Sequence, residues 1–297
     1  MKTAAGAFSR RAHAKLNLRL EVGERVGDLH SLVSVIAPLE LADELRFSPA
    51  SDGFTVVCDG VAIPERTNLV WRAAHELGAA PPIAVALVKR IPLQAGLGGG
   101  SADAAETLLG IARFLHDGGR DISQSILHDA ATRLGSDVPS ALVPGLKIVA
   151  GVGEKVTPYP CTPPDWGISL LKPRVGSDTA RAYALLDATQ PMGPIVEQAF
   201  ENARAMCRAF ASHNFSKFLG LLHNDFCAAI GQALPDVASA RERLADAGAA
   251  GTIVCGSGSG VAGFFEDVDA ARRAHERISL GEGEWSTVTR FQKSSHV

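Results

Sequence analysis

Between Leu93 and Ala105 the chain reads Leu-Gln-Ala-Gly-Leu-Gly-Gly-Gly-Ser-Ala-Asp-Ala-Ala. Glycines at 96, 98, 99 and 100 remove the side chains that would hold a ligand away from the backbone N–H groups. Behind them Ala104, Ala105, Leu108, Ile111, Ala112 and Leu115 recur at helical spacing, which predicts a helix from about residue 101 with Ser101 as its N-cap. The N–H groups and positive dipole end of that helix would face the glycine loop, a seat suited to phosphate. A Walker loop needs a lysine after the glycines, and Ser101 follows Gly100 instead. A dinucleotide fingerprint is spelled by Gly258-Ser259-Gly260-Val261-Ala262-Gly263, but it runs into Phe264-Phe265 and reads as a strand where a helix is required.

Two charged residues lie where a phosphate chemistry could use them. Lys15 opens an alternating segment, and Asn17, two residues on, shares its strand face. Lys15 alone reads as solvated surface; the pair together could hold a charged or hydroxylated ligand. Asp137 in Leu134-Gly135-Ser136-Asp137-Val138-Pro139 reads two ways. It is either a helix N-cap ahead of Pro139 or the carboxylate that accepts a hydroxyl proton during transfer from ATP to an alcohol. Gly256-Ser257-Gly258-Ser259-Gly260 spells a nucleophile elbow, yet an extended segment follows it, so a seryl nucleophile is not supported.

These residues need elements to position them. Short alternations from Lys15 to Val57, such as Leu16-Asn17-Leu18-Arg19-Leu20, suit antiparallel strands. Helical patterns follow at 68–77 and 122–134, with a strand Ile83–Val88 leading into the glycine loop. Prolines at 158, 160, 163 and 164 mark a boundary, giving domains 1–160 and 161–297. Beyond it the pattern gives a strand at 167–171, helices near 195–211, 215–231 and 236–247, the last closed by Gly248, and a strand Thr252–Cys255. Strands and helices mix without a regular βαβ repeat, so the class is α+β.

Composition bounds the rest. The 297 residues are 46% hydrophobic with a net charge of −3 and no basic block, which points to a globular protein with a small-molecule substrate, no nucleic-acid partner and no membrane partner. Cysteines at 58, 161, 207, 227 and 255 show no metal-type spacing and are expected to be reduced, mostly buried thiols of a cytoplasmic protein. No segment reaches the ~18 apolar residues of a membrane helix, and no export signal is visible.

Three separated segments, Ala14-Lys15-Leu16-Asn17-Leu18, Gly96-Leu97-Gly98-Gly99-Gly100-Ser101 and Gly256-Ser257-Gly258-Ser259-Gly260, resemble in order and spacing the three motifs of the GHMP small-molecule kinases. The triple glycine before Ser101, the Leu134–Pro139 segment and His30 are most similar to the 4-diphosphocytidyl-2-C-methyl-D-erythritol kinases of non-mevalonate isoprenoid synthesis. The resemblance extends through Thr67-Asn68-Leu69-Val70, Lys89-Arg90-Ile91-Pro92, Gly151-Val152-Gly153-Glu154 and His223-Asn224-Asp225. It implies a ribosomal protein S5 domain 2-like N-terminal domain and a ferredoxin-like C-terminal domain, with ATP and substrate meeting between them. It further implies ATP with Mg²⁺, Asp137 as general base and Lys15 polarising the attacked 2-hydroxyl. By the same resemblance Gly96, Gly98, Gly99, Gly100 and Ser101 hold the triphosphate, and Asn68 and Lys89 lie near the adenine nucleoside. Gly256, Ser257 and Gly258 belong to a loop closing over the reacting phosphate. Asn17 and His30 contact the cytidine-bearing substrate, and Thr179 and Tyr183 form the opposite wall. No protein metal ligands are implied, and a monomer or homodimer is expected.

The chain departs from the family pattern at two points. Leu29 stands where an aromatic would stack on cytosine, so either Tyr183 carries the stack alone or the substrate is not a cytidine diphosphate, and Ala102 replaces a second serine. The alternatives are another GHMP kinase, of homoserine, mevalonate or sugar type, or a non-catalytic nucleotide-binding relative.

Overall fold

The computed structural model describes residues 6–59, 67–78, 81–189 and 192–293. In its first half the chain forms β1 (Phe8–Val26), β2 (Leu29–Pro49), β3 (Phe54–Asp59), α1 (Leu69–Glu76), β4 (Ile83–Val88), α2 (Gly99–Asp117), α3 (Gln124–Leu134) and α4 (Val138–Ala141). There follow β5 (Lys147–Gly151), β6 (Lys155–Pro158), β7 (Gly167–Lys172), α5 (Thr179–Thr189), α6 (Glu197–Ala211), α7 (Phe215–Leu221) and β8 (His223–Asn224). The last elements are α8 (Phe226–Ala233), α9 (Pro235–Asp246), β9 (Gly251–Val254), β10 (Val261–Phe265), α10 (Val268–His275) and β11 (Trp285–Arg290). The class is α+β, and the chain divides into two compact units.

One unit gathers Met1–Ala14, Leu41–Ile91 and Gly98–Val143. Its strands pair as β3 parallel to β4 and β4 antiparallel to the end of β2, from Glu44↔Val88 to Pro49↔Ile83. The core lies between this sheet and α1, α2 and α3, and small residues let the helices approach. Ala102, Ala104, Ala105, Leu108 and Ile111 form the buried stripe of α2, and a Cβ placed on Gly110 would come within 2.5 Å of the Phe47 ring.

The other unit gathers Lys15–Glu40, Pro92–Leu97 and Pro144–Val297. Alternation in β1 sends Leu16, Leu18, Leu20 and Val22 into the core, as the pleat requires. The first part of β2 pairs antiparallel with β5, and the two-residue β8 runs parallel to β1 through Arg19↔His223 and Leu20↔Asn224. A separate antiparallel sheet has the order β11-β7-β10-β9, packed by α9 and α10. Numbered along the sheet's own strands this is 4-1-3-2, the ferredoxin-like arrangement. Its strand β10 is buried at every position, which explains its continuous Val-Ala-Gly-Phe-Phe run.

Three sequence expectations need correction. The alternation from Lys15 to Val57 forms the two long strands β1 and β2 and the start of β3 rather than a run of short antiparallel strands: Gly23 and Asp43 lie inside continuous strands, and β3 pairs parallel to β4. The segment 215–231 is not one helix. Leu222 turns extended (φ −57°, ψ 127°) so that His223 and Asn224 can pair with β1, and strand pairing overrides the helical period. Of the five cysteines, only Cys207 and Cys255 are fully buried; Cys58, Cys161 and Cys227 are half-buried.

Candidate active site

In the first unit the glycine loop delivers the chain into α2. Gly98 adopts the left-handed conformation (φ 70°, ψ 16°) and occupies the N-cap position, so Ser101 is the third helical residue and not the cap that spacing suggested. The reason is geometric: a turn at positive φ suits glycine, not serine. The first intrahelical bond runs from Ala102 N to Gly98 O at 2.9 Å. The N–H groups of Gly99, Gly100 and Ser101 therefore precede the ladder and point out of the helix end. That donor set fits a phosphate group.

Beneath this helix start lies a buried ionic cluster. Lys89 Nζ donates to Asp103 Oδ2 at 2.7 Å and to Asp43 Oδ2, while Asp43 Oδ1 accepts from Arg90 N at 2.5 Å and Ile91 N at 2.8 Å. Asp103 Oδ1 has no hydrogen-bond partner. Burial, reinforced by the neighbouring Asp43, pushes the Asp103 carboxyl up to about 7 against the pull of Lys89. For Lys89 burial opposes the charge, but the two carboxylates outweigh it and its pKa is raised. A Cβ on Gly99 would lie 2.9 Å from Ile91 Cγ2, so the cluster and the bare helix start are packed together. Asn68 is buried and caps α1, its Oδ1 accepting from Val70 N at 2.9 Å. Asp137 stands at the N-cap position of α4 but makes no side-chain cap bond. Its backbone carbonyl accepts from Ser140 Oγ at 2.9 Å and Ala141 N at 3.3 Å.

The second unit brings Lys15, Asn17, Gly96 and Gly256 together. Lys15 Nζ donates to Asn17 Oδ1 at 2.7 Å, and Asn17 Nδ2 donates to Ser34 Oγ at 2.8 Å, which fixes both side chains on the β1 face. Lys15 N donates to Leu97 O at 2.9 Å. A Cβ on Gly256 would lie 3.2 Å from Lys15 Nζ and 3.4 Å from Asn17 Oδ1, and one on Gly96 would lie 1.7 Å from the Cys255 carbonyl oxygen. The backbones around 96 and 256 thus touch where a side chain has no room. The fully buried Cys255 thiol is pushed up to about 12 by desolvation, despite the Lys15 charge near it.

The 256–260 loop is tied down from several sides. Ser259 N donates to Gln94 O at 3.1 Å, Ser177 Oγ to Ser257 O at 2.8 Å, and Thr179 Oγ1 lies 3.2 Å from Ser257 Oγ. Gly258 is left-handed at φ 85°. His30 is buried; it lies 2.8 Å from Asp187 Oδ1 through Nε2 and stacks on Tyr183 with ring centroids 4.8 Å apart. Tyr183 also meets the edge of Phe226 at 4.9 Å. Leu29 is exposed.

Several participants escaped the sequence reading. Asp43, Asp103 and Asp187 act through residues more than a dozen positions away, and Gln94 holds its role through its backbone carbonyl at φ 54°. Asn224 lies in a segment quoted for the resemblance, but its bonds to Val254 and Gly256 follow from a strand that periodicity read as helix. Among the described residues no group of three or more His, Cys, Asp or Glu side chains is arranged to hold a metal ion. No helix among them is long and apolar enough to cross a membrane.

The family model for the GHMP kinases N terminal domain matches residues 68–145, and that for the GHMP kinases C terminal domain matches residues 199–280. A 4-diphosphocytidyl-2-C-methyl-D-erythritol kinase of Pelotomaculum thermopropionicum is 35% identical over 90% of this chain and 92% of its own. One from Moorella thermoacetica is also 35% identical, over 90% of this chain and 93% of its own. A crystal structure of 4-(cytidine 5'-diphospho)-2C-methyl-D-erythritol kinase superposes with a TM-score of 0.75 at 31% identity, covering 95% of this chain and 99% of that one. A bare helix start, a strand-borne lysine facing a second glycine loop, and this breadth of identity agree: the chain belongs to the GHMP kinases, and within them to the 4-diphosphocytidyl-2-C-methyl-D-erythritol kinase family.

Proposed function

We propose that the chain transfers the γ-phosphoryl group of ATP to the 2-hydroxyl of 4-diphosphocytidyl-2-C-methyl-D-erythritol, a step of isoprenoid precursor synthesis. The observation that carries it is Lys15, a cation aimed by Asn17 and pressed against Gly256; a lysine so fixed beside a phosphate-type loop has work in charge neutralisation. The hydroxyl oxygen forms the new bond to the γ-phosphorus, the bond from that phosphorus to the leaving ADP oxygen breaks, and Asp137 takes the hydroxyl proton. Lys15 polarises the attacked hydroxyl. Such reactions need alignment and electrostatic stabilisation more than covalent help from the protein.

In this reading Gly96, Gly98, Gly99, Gly100 and Ser101 take the triphosphate, whose charge Mg²⁺ bound to ATP would in part neutralise. Asn68 and Lys89 lie near the adenine nucleoside, with the Lys89 ammonium already committed to Asp43 and Asp103. The loop Gly256, Ser257 and Gly258 covers the reacting phosphate. Asn17, His30, Thr179 and Tyr183 contact the cytidine-bearing substrate, His30 and Tyr183 acting as the stacked pair that compensates for Leu29. Residues 1–160 form the nucleotide-binding half and 161–297 the half that completes substrate recognition. A reaction in the cytoplasm fits this chemistry.

An acceptor panel tests the proposal. Purified chain with ATP and Mg²⁺ is expected to release ADP with 4-diphosphocytidyl-2-C-methyl-D-erythritol and not with homoserine, mevalonate or a hexose. Turnover of one of those instead would assign a sister activity, and ATP binding without transfer to any acceptor would assign a non-catalytic role.

A further inference from the structure

We propose that Asn224 is a positioning residue for phosphoryl transfer: its side-chain amide clamps the Gly256 carbonyl and so keeps the 256–260 loop seated on the Lys15 ammonium. The inference rests on the role just given to Lys15 and that loop.

Asn224 is buried, and its Nδ2 donates to Val254 O at 2.9 Å and to Gly256 O at 2.8 Å while its Oδ1 accepts from Phe226 N at 3.0 Å. Both carbonyls can only accept and the peptide N–H can only donate, so the amide's orientation is fixed by its partners. The clamp is itself anchored to the strand that carries Lys15 and Asn17. Asn224 is registered with Leu20 of β1, Asp225 N donates to Leu20 O at 3.2 Å, and Val22 N donates to Asp225 Oδ2 at 2.7 Å. One strand thus holds the cation directly and, through Asn224, the loop that covers it.

The loop needs such a clamp. Gly256 and Gly258 both sit at positive φ, 50° and 85°, and glycine backbone has many alternatives to that conformation. A side chain that grips the Gly256 carbonyl removes those alternatives at the point where a Cβ would meet Lys15 Nζ at 3.2 Å.

Asn224→Asp and Asn224→Ser test this on the full chain, beside Val237→Ala, which truncates a fully buried residue of α9 in the core that holds Phe226 and Val254 and serves as a control for lost stability. An ionised carboxylate at position 224 offers no proton to either carbonyl, and a serine hydroxyl offers one. The clamp predicts a kcat about 10- to 100-fold lower for both variants, the scale of a small misplacement of reacting groups, with KM for ATP and acceptor nearly unchanged. Protonation of the Asn224→Asp carboxyl restores a proton to donate, so its deficit relative to wild type shrinks as pH falls. Val237→Ala keeps wild-type kcat at a similarly lowered Tm. The proposal is overturned if both Asn224 variants keep wild-type kcat, or if Val237→Ala loses kcat in proportion to its Tm as they do. Wild-type chain that transfers phosphate to no alcohol overturns this and the proposed function together, whereas an active wild type with unaffected Asn224 variants overturns the clamp alone.

Discussion

Asp137 stands at the N-cap position of α4 without a side-chain cap bond, and the proposed function gives its carboxylate the hydroxyl proton. Asp137→Asn keeps the shape and removes the base, so kcat is expected to fall by at least ~10²-fold with the fold intact by circular dichroism. Lys15 and Asn17 were legible as a pair because the strand period puts residues two apart on one face, and the 2.7 Å bond between them follows from that. The ionic cluster was not legible, since Asp43, Lys89 and Asp103 come from three separate segments with no shared period. It has a measurable signature. The folded Asp103 carboxyl is raised to about 7 while an unfolded aspartate titrates near ~3.9, so the folded state holds a proton that the unfolded state has released. The contribution of Asp103 to stability is therefore fully present below that unfolded value and is lost as pH rises toward 7. Urea unfolding of wild type and Asp103→Asn at several pH values should show the wild type losing ground relative to the variant between about pH 4 and 7, and parallel curves would contradict the assignment.

At the scale of elements, the start of α2 shapes the first glycine loop. The spacing of Ala104, Leu108 and Ile111 located α2 but misplaced its cap, because hydrophobic periodicity says nothing of the left-handed turn that Gly98 supplies. Close approach of backbone was likewise invisible: glycine at 96 is required because a Cβ would sit 1.7 Å from the Cys255 carbonyl oxygen. Gly96→Ala is expected to abolish soluble folded protein or to lower Tm sharply, and a variant of native Tm would contradict that packing. Asn68 caps α1 through its 2.9 Å bond from Val70 N, and Asn68→Ala should cost about 1 kcal/mol in denaturant unfolding. If Asn68 also lies near the nucleoside, KM for ATP rises in the same variant. The helix read over 215–231 failed because β8 needs only two residues, too few to leave a period of their own, and it is this break that places Asn224.

At the scale of the whole molecule, the α+β class was legible from the mixture of strands and helices, and the ferredoxin-like sheet through the motifs shared with the GHMP kinases. Which segments share a compact unit was not, since long strands contribute residues to both units and strand pairing joins stretches distant in sequence. The second unit carries an aromatic core in which Trp166, Phe210, Phe218, Phe264 and Phe291 meet at centroid distances of 4.6–6.5 Å. Phe218 is fully buried there, and Phe218→Ala is expected to cost about 3–5 kcal/mol of stability by urea titration. That loss would leave KM nearly unchanged in the fraction still folded, because Phe218 belongs to the core and not to the proposed site. The proposed function turns on one transfer and the two side chains assigned to it. Phosphorus NMR of a reaction containing ATP, Mg²⁺, 4-diphosphocytidyl-2-C-methyl-D-erythritol and the wild-type chain, with Asp137→Asn and Lys15→Met run alongside, measures it most directly. The expected result is a new phosphomonoester resonance on the acceptor's 2-position, matched by ADP and nearly absent with either variant. Phosphate released to water, a phosphomonoester elsewhere on the acceptor, or undiminished product from the variants would contradict it.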